Sequence, residues 1–244
     1  MDWSGKTVVP LATKRGQWLE QPIYQIYRRL KSTLACWCFR LGLAKVLGLS
    51  AAFPIKLHLG CGDRYAKGFL NLDLVSATAD INADCVRLGF LKDRSVSYIL
   101  VEHMLEHLSR REGLSALKEW ARLLIPGGIV EIEVPDVVWC LENFLGKTES
   151  ERYDGEYMRQ GAIAAIYGMQ TDPGHFHKFG YTKEYLIECL KVCGFGARSV
   201  KTYMSFHPCR SIRVTAVKDG HEGEGNSVCE PLGNVYVGHR HLVS

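Results

Sequence analysis

A short apolar run, Ile55 to Leu59, ends at Gly60-Cys61-Gly62-Asp63, and Asn71-Leu72-Asp73 follows closely. A buried strand that stops at two glycines lets bare backbone approach a ligand, and the next strand brings a carboxylate to the same edge. Such an edge suits a nucleoside. Taken alone, a Gly-x-Gly turn reads equally well as a strand that simply turns.

Further segments follow in order. They are Ala79-Asp80-Ile81-Asn82-Ala83-Asp84, then Val101-Glu102-His103-Met104-Leu105-Glu106-His107, then Leu123-Leu124-Ile125-Pro126-Gly127-Gly128, then Val130-Glu131-Ile132-Glu133-Val134-Pro135-Asp136. In order and spacing the series resembles the class I S-adenosylmethionine-dependent methyltransferases. Within them it resembles the small methyltransferase group, type 11-like, that reads LxLGCG, NxD, LEHL, LxPGG and VPD. The resemblance spans about Ile55 to Lys218, roughly two thirds of the chain.

From Ile55 the apolar pattern alternates as in doubly wound α/β folds, with strands expected at 55–59, 69–74, 79–83, 96–101 and 128–134. A helix from about Arg111 to Leu124 carries Leu114, Leu117, Trp120, Ala121 and Leu124 on one face, and Pro126-Gly127-Gly128 turns the chain into the fifth strand. Thr182 caps a helix that runs to Cys193 and is ended by Gly194, with strands at 197–204 and 211–217 beyond it. The resemblance implies a Rossmann-like sheet, mostly parallel with an antiparallel C-terminal edge, and helices on both faces. Only Gly60 to Gly68 separate the first two strands, too few for a full crossover helix. That spacing also disfavours a nicotinamide dehydrogenase, which wants Gly-x-Gly-x-x-Gly opening a true helix and an acid about 20 residues on.

By the resemblance, Gly60 and Gly62 face the methionine and ribose of S-adenosylmethionine, and Asp63 accepts from its amino group. Asp73, at the end of the second strand, is expected to take the ribose hydroxyls, with a turn or cap residue as the alternative. Asp84 matches the acid that receives the adenine amino group, and Asp80 is its competitor. Glu102 and His103 end the fourth strand, where methyl acceptors approach in this fold, and Glu102 is counted with the cofactor-binding set. Methyl transfer to a hydroxyl needs in-line alignment and a base, and His103 suits that task with its ordinary pKa near 6.5. Glu106 and His107 lie one turn on, where His107 is expected to cap or orient the helix. A long loop from Tyr167 to Tyr181 is dense in histidine and aromatic residues, so His175 and His177 are candidates for acceptor contacts or a second base. A metal between His175 and His177 would need Asp172 or Asp136, and none is expected.

The composition is that of a globular enzyme, 47% hydrophobic and 23% charged with a net charge of +4. Residues 1–50 hold eight Lys or Arg against two acids, leaving the rest of the chain near −2 and without a basic stripe for nucleic acid. The Asp/Asn-Pro-Pro-aromatic tetrad of nucleic-acid N-methyltransferases is also missing after the fourth strand. Nine cysteines without a Cys-x-x-Cys pair or a secretory leader read as reduced thiols of a cytoplasmic protein. Cys36 and Cys38 read as small apolar residues, not half of a metal site.

Three parts are expected: a basic amphipathic arm at 1–50, a catalytic domain at 51–218 and a flexible tail at 219–244, where Val235–Val237 could add a short strand. In the arm, Ile23, Ile26, Tyr27, Leu30, Leu34, Trp37 and Leu41 recur at helical spacing among Arg28, Arg29, Lys31, Arg40 and Lys45. That apolar face either docks on the core, covers the substrate pocket, or lies on anionic lipid at the inner face of a membrane through residues 23–45. The reading as a whole is an S-adenosylmethionine-dependent O-methyltransferase of a sugar, glycan or other small molecule. The alternatives are an inactive methyltransferase-like binding subunit and a nicotinamide-dependent oxidoreductase.

Overall fold

The computed structural model describes residues 22–40, 54–147, 155–171, 173–206 and 209–219. Most of the arm and all of the tail beyond Asp219, including Val235–Val237, lie outside the described residues. In chain order the elements are α1 (Pro22–Arg40), β1 (Ile55–Leu59), β2 (Leu70–Asp73), β3 (Ile81–Asn82) and β4 (Val96–Glu102), then α2 (Arg110–Leu123), β5 (Leu124–Pro135), α3 (Val137–Phe144) and α4 (Gly155–Tyr167). They close with α5 (Lys183–Val192), β6 (Phe195–Phe206) and β7 (Cys209–Lys218). One sheet runs β3-β2-β1-β4-β5-β7-β6, with β3 to β5 parallel and β7 antiparallel to both of its neighbours.

Side chains of successive strand residues point to opposite faces of a sheet. One face carries Leu57, Leu59, Leu72, Ile99, Val101, Val130, Ile132, Val134, Ile212 and Val214, all fully buried. Helix α2 lies in this core through Ala116, Leu117, Trp120 and Leu123. It starts at a capping box in which Ser109 and Glu112 each accept from the other's backbone N–H, satisfying donors that a helix start leaves unpaired. The Trp120 indole donates to the Cys85 carbonyl at 3.0 Å, fixing the largest core side chain under the loop that follows β3. Thr182 caps α5 by accepting from Tyr185 N, and Gly194 follows its end at φ +83°.

The crossover from β1 to β2 is a loop, held open by Asn71 in place of a helix. Fully buried Asn71 accepts from Ala66 N through Oδ1 and donates from Nδ2 to the carbonyls of Ala66 and Phe69 and to Asp80 Oδ2. Strand β3 is shorter than the expected 79–83 because Asp80 turns back to Asn71, taking its N–H at 2.8 Å. Strand β5 begins at Leu124, earlier than expected, since Leu124 pairs with Val96 before the Pro126-Gly127-Gly128 turn shifts the register. Helices α3 and α4 have no counterpart in the sequence reading; Asp136 caps α3 by accepting from Trp139 N.

Helix α1 packs by the face that the periodicity did not mark. Ser32 and Ala35 are buried, and Ser32 Oγ accepts from Asn82 N at 2.9 Å, fixing the helix to the β3 edge. Ile26, Tyr27, Leu30, Leu34 and Trp37 are each more than half exposed. Small residues let a helix approach a sheet edge closely, whereas the bulky stripe is left on the outside. No helix among the described residues is long and apolar enough to cross a membrane.

Candidate active site

The glycine turn sits at the C-terminal ends of β1, β2 and β4, where ligands bind in open α/β sheets. Gly60 and Gly62 adopt φ of +67° and +51°, a region that side chains disfavour. A Cβ on Gly60 would lie 2.2 Å from Met104 Cγ, so the residue after His103 seals the back of the turn. Asp73 knits the edge together: Oδ2 accepts from Gly62 N at 3.0 Å, and Oδ1 accepts from Val75 N and Ser76 N at 2.8 and 2.7 Å. The turn role considered for Asp73 is therefore present in the structure. Ser76 and Thr78 hydroxyls both donate to the Gly62 carbonyl. Asp63 is exposed on the loop. Of the competing acids after β2, Asp80 is committed to Asn71 and Tyr65, while Asp84 is exposed just past β3 and accepts from Val86 N.

At the end of β4 the backbone brings three acids and a cation side by side. Glu102 is the register partner of Glu133 on β5, and Glu133 is that of Arg213 on β7. Like charges directly opposite repel, so the row depends on the guanidinium. Arg213 donates to Glu131 at 2.6 Å, to Glu102 at 2.5 Å and through Nε to Glu133 at 2.9 Å. Tyr203 also donates to Glu133, and Tyr98 to Glu131, each at 2.6 Å. Burial alone would raise the Glu133 carboxyl, but the His103, Tyr203 and Arg213 donors outweigh it and hold the pKa at about 2. Arg64 and His58 approach the other Glu102 oxygen at 4.0 and 3.9 Å. The expected cofactor contact of Glu102 thus shares its carboxylate with Arg213.

His103 is clamped rather than free. It stands at φ +52°, a strained position for a residue with a side chain. Its Nδ1 faces Glu106 Oε1 at 3.2 Å and its Nε2 faces Glu133 Oε1 at 3.1 Å, with Ser211 Oγ also 3.2 Å from Nε2. Burial disfavours the imidazolium, but the two carboxylates outweigh it and raise the pKa to about 9. With both nitrogens donating, no lone pair is left to take an acceptor proton. Set between two carboxylates, His103 ties β4 to β5, a setting that does not favour the expected role of general base.

The Tyr167–Tyr181 segment returns to this edge. Lys178 N and Phe179 N both donate to the Glu106 carbonyl, at 2.8 and 3.2 Å, and His177 N donates to Tyr167 O. Gly168 allows that closure, since a Cβ there would lie 1.8 Å from the His175 carbonyl oxygen. His175 is exposed, its Nδ1 2.5 Å from Thr171 Oγ1. His177 is half-buried against His107, their ring centroids 4.7 Å apart, and burial lowers its pKa. The structure thus brings His177 and His107 together and leaves His175 outside. Asp136 is committed to capping α3 and to Arg210, and Asp172 lies outside the described residues. Sequence reasoning quoted Asn71 and Glu133 within motifs without giving them a role, and missed Arg213.

Residues 57–132 match the profile of a family described as a methyltransferase domain. No curated protein matches the chain. Among solved structures, the chain is similar to an S-adenosylmethionine-dependent methyltransferase of Methanosarcina mazei at 16% identity, covering 68% of this chain and 92% of that one with a TM-score of 0.49. It is also similar to a possible histamine N-methyltransferase of Thermotoga maritima at 19% identity, covering 80% and 96% with a TM-score of 0.46. A third is the 1,6-didemethyltoxoflavin-N1-methyltransferase of Burkholderia thailandensis with bound S-adenosylhomocysteine, at 15% identity, 84% and 89% coverage and a TM-score of 0.47. The glycine turn, the acid of β2 and the end of β4 thus all lie within the residues that match a methyltransferase domain, on a mostly parallel sheet with an antiparallel edge.

Proposed function

We propose that this methyltransferase domain transfers the methyl group of S-adenosylmethionine to an oxygen of a sugar, glycan or other small hydroxylated acceptor. The residues of the turn fit the cofactor. Gly62 has open space where a Cβ would stand, Asp73 holds the turn in shape where the reading puts the ribose, and Asp84 is exposed where it puts the adenine. The sulfonium supplies an electrophilic methyl group that is transferred by in-line displacement, so the chain's task is alignment and care of the acceptor's proton.

The observation that carries the acceptor assignment is the polarity of the edge past β4. His107 and His177 gather there beside buried Glu106, with Glu102 at the end of β4, a polar edge suited to a hydroxylated ligand. His107 and His177 each have Nδ1 beside a backbone carbonyl, which fixes the proton on Nδ1 and leaves Nε2 to meet an acceptor hydroxyl. Calorimetry with S-adenosylmethionine and S-adenosylhomocysteine tests the cofactor half, and binding of both is expected. Transfer of labelled methyl to a panel of sugars and glycans tests the other half. Failure of the folded protein to bind either nucleotide overturns the reading, and label found only on nitrogen acceptors overturns the oxygen assignment.

The exposed stripe of α1 supports a peripheral contact with an anionic membrane surface. Ile26, Leu30, Leu34 and Trp37 lie opposite buried Ser32 and Ala35, and exposed Arg29 and Lys31 border the stripe. An apolar stripe edged with cations is the arrangement of interfacial helices.

A further inference from the structure

Where β4 ends, Glu106 and His107 stand in the short 3-10 turn Leu105–His107, and the returning segment sets His177 against them. One ligand-type atom from each of the three lies within 4.8 Å of the others. Glu106 is 1% exposed; Oε1 faces His103, whereas Oε2, fully buried, has no hydrogen-bond partner. A buried carboxylate oxygen without a partner is costly, and an ion beside it removes the cost.

The two imidazoles are prepared in the same sense. A carbonyl oxygen can only accept, so Phe176 O at 3.1 Å from His107 Nδ1 and Ala165 O at 2.8 Å from His177 Nδ1 fix the protons there. Each neutral ring then presents the Nε2 lone pair. Metal-bound histidines are oriented by this kind of outer hydrogen bond. The backbone bonds from Lys178 and Phe179 to Glu106 hold the two segments in place before any ligand arrives. A cavity bordered by Glu106, His177, Val137, Phe179 and Tyr181 adjoins the cluster.

We propose that Glu106, His107 and His177 bind a divalent transition-metal ion of the zinc type. Two imidazoles and one carboxylate suit Zn²⁺, Co²⁺ or Fe²⁺ rather than Mg²⁺ or Ca²⁺, which favour all-oxygen shells. Metal–ligand bonds of about 2.0–2.2 Å place tetrahedral ligand atoms about 3.4 Å apart, so atoms that now lie up to 4.8 Å from one another would close in as the ion enters. Three protein ligands leave a position open for water or an acceptor hydroxyl, as in catalytic sites. The ion would take the Nε2 atoms that the acceptor reading gives to the hydroxyl, so the hydroxyl would meet the ion's open position instead, and metal titration tests the site apart from methyl transfer. It departs from the sequence reading, which expects no metal and gives His107 a capping role.

The test is titration of metal-stripped full-length protein with Co²⁺, followed by visible absorption, with Zn²⁺ calorimetry in parallel. One equivalent is expected to bind with ligand-field bands of a nitrogen and oxygen shell. Losing an outer partner alone weakens such sites up to about 100-fold, so His107→Ala/His177→Ala is expected to lose at least that much affinity. Glu106→Gln, which keeps the volume, should weaken binding as well. Circular dichroism and S-adenosylmethionine binding of the metal-free variants show whether they fold. On the wild-type protein alone, thiolate-to-cobalt charge-transfer bands would place the ion on cysteines and overturn the proposal. So would the absence of binding, or unchanged binding in the folded double variant.

Discussion

Replacing Arg213 by Met removes the one cation among the described residues that faces Glu102, Glu131 and Glu133 together, while keeping most of the apolar stem. Glu133 is the most buried of the three acids, at 3% exposure, and its carboxyl is held at about 2 rather than near 4.5. Each tenfold change in proton affinity is about 1.4 kcal/mol, so this carboxylate carries roughly 3 kcal/mol of favourable interaction at neutral pH. In the wild-type protein that stability is present above the ordinary carboxylate pKa and is lost as pH falls from about 5 toward 2. In the variant His103 and Tyr203 still donate to Glu133, but the charges of Glu102 and Glu131 are no longer offset, so the Glu133 pKa rises from about 2 and the share of stability that Arg213 supplied is lost. The deficit of Arg213→Met is therefore expected to be up to about 3 kcal/mol at pH 8, or up to about 12 °C in Tm for a chain of this size, and to shrink as pH falls from about 5 toward 3. Urea unfolding of both proteins across that range measures it. A second change, Glu133→Gln, should restore part of the loss at pH 8, because it removes the charge that the variant strands. A deficit that does not vary with pH, or losses that simply add in the double variant, would refute the argument.

Asp73→Ala is expected to abolish measurable S-adenosylmethionine binding in calorimetry. It should also lower stability by about 1–3 kcal/mol in urea, since Gly62, Val75 and Ser76 lose the acceptor of their N–H groups. Retained affinity would remove the residue from the cofactor edge. Gly60→Ala should cost about 1–2 kcal/mol for the left-handed backbone, and more for the collision with Met104. Adding Met104→Gly should recover the second part only, and full recovery in thermal unfolding would contradict the backbone share. For α1, Leu30→Glu/Leu34→Glu should stop sedimentation with anionic vesicles and leave S-adenosylmethionine binding intact; unchanged sedimentation would rule out this stripe as the contact.

The parts of the molecule that were legible in the sequence are those whose cause is local. The turn at Gly60 and Gly62 and the cap at Thr182 each depend on residues a few positions apart, so their pattern alone dictates them. The role of Asn71 needed one more step, because a polar residue inside a strand shows its purpose only when the short crossover around it is seen. Helices α3 and α4 were not expected from the sequence, and the cap that Asp136 makes with Trp139 N shows itself only in the structure.

The chemistry at the end of β4 depends on groups that the sequence does not set side by side. Sequence shows His103 beside Glu102, but the groups that decide its protonation lie elsewhere: Glu133 is 30 residues away, and the antiparallel register of β7 sets Arg213 against it. A strand slip of one residue would turn Glu133 and Arg213 to the opposite face and leave His103 with a single carboxylate. Its charge state is thus a consequence of sheet register. His107 and His177 are 70 positions apart and likewise acquire a common purpose only when the loop closes onto Glu106. Local motifs place a ligand-binding edge, whereas the proton and metal chemistry of that edge is written in pairings between distant strands and loops.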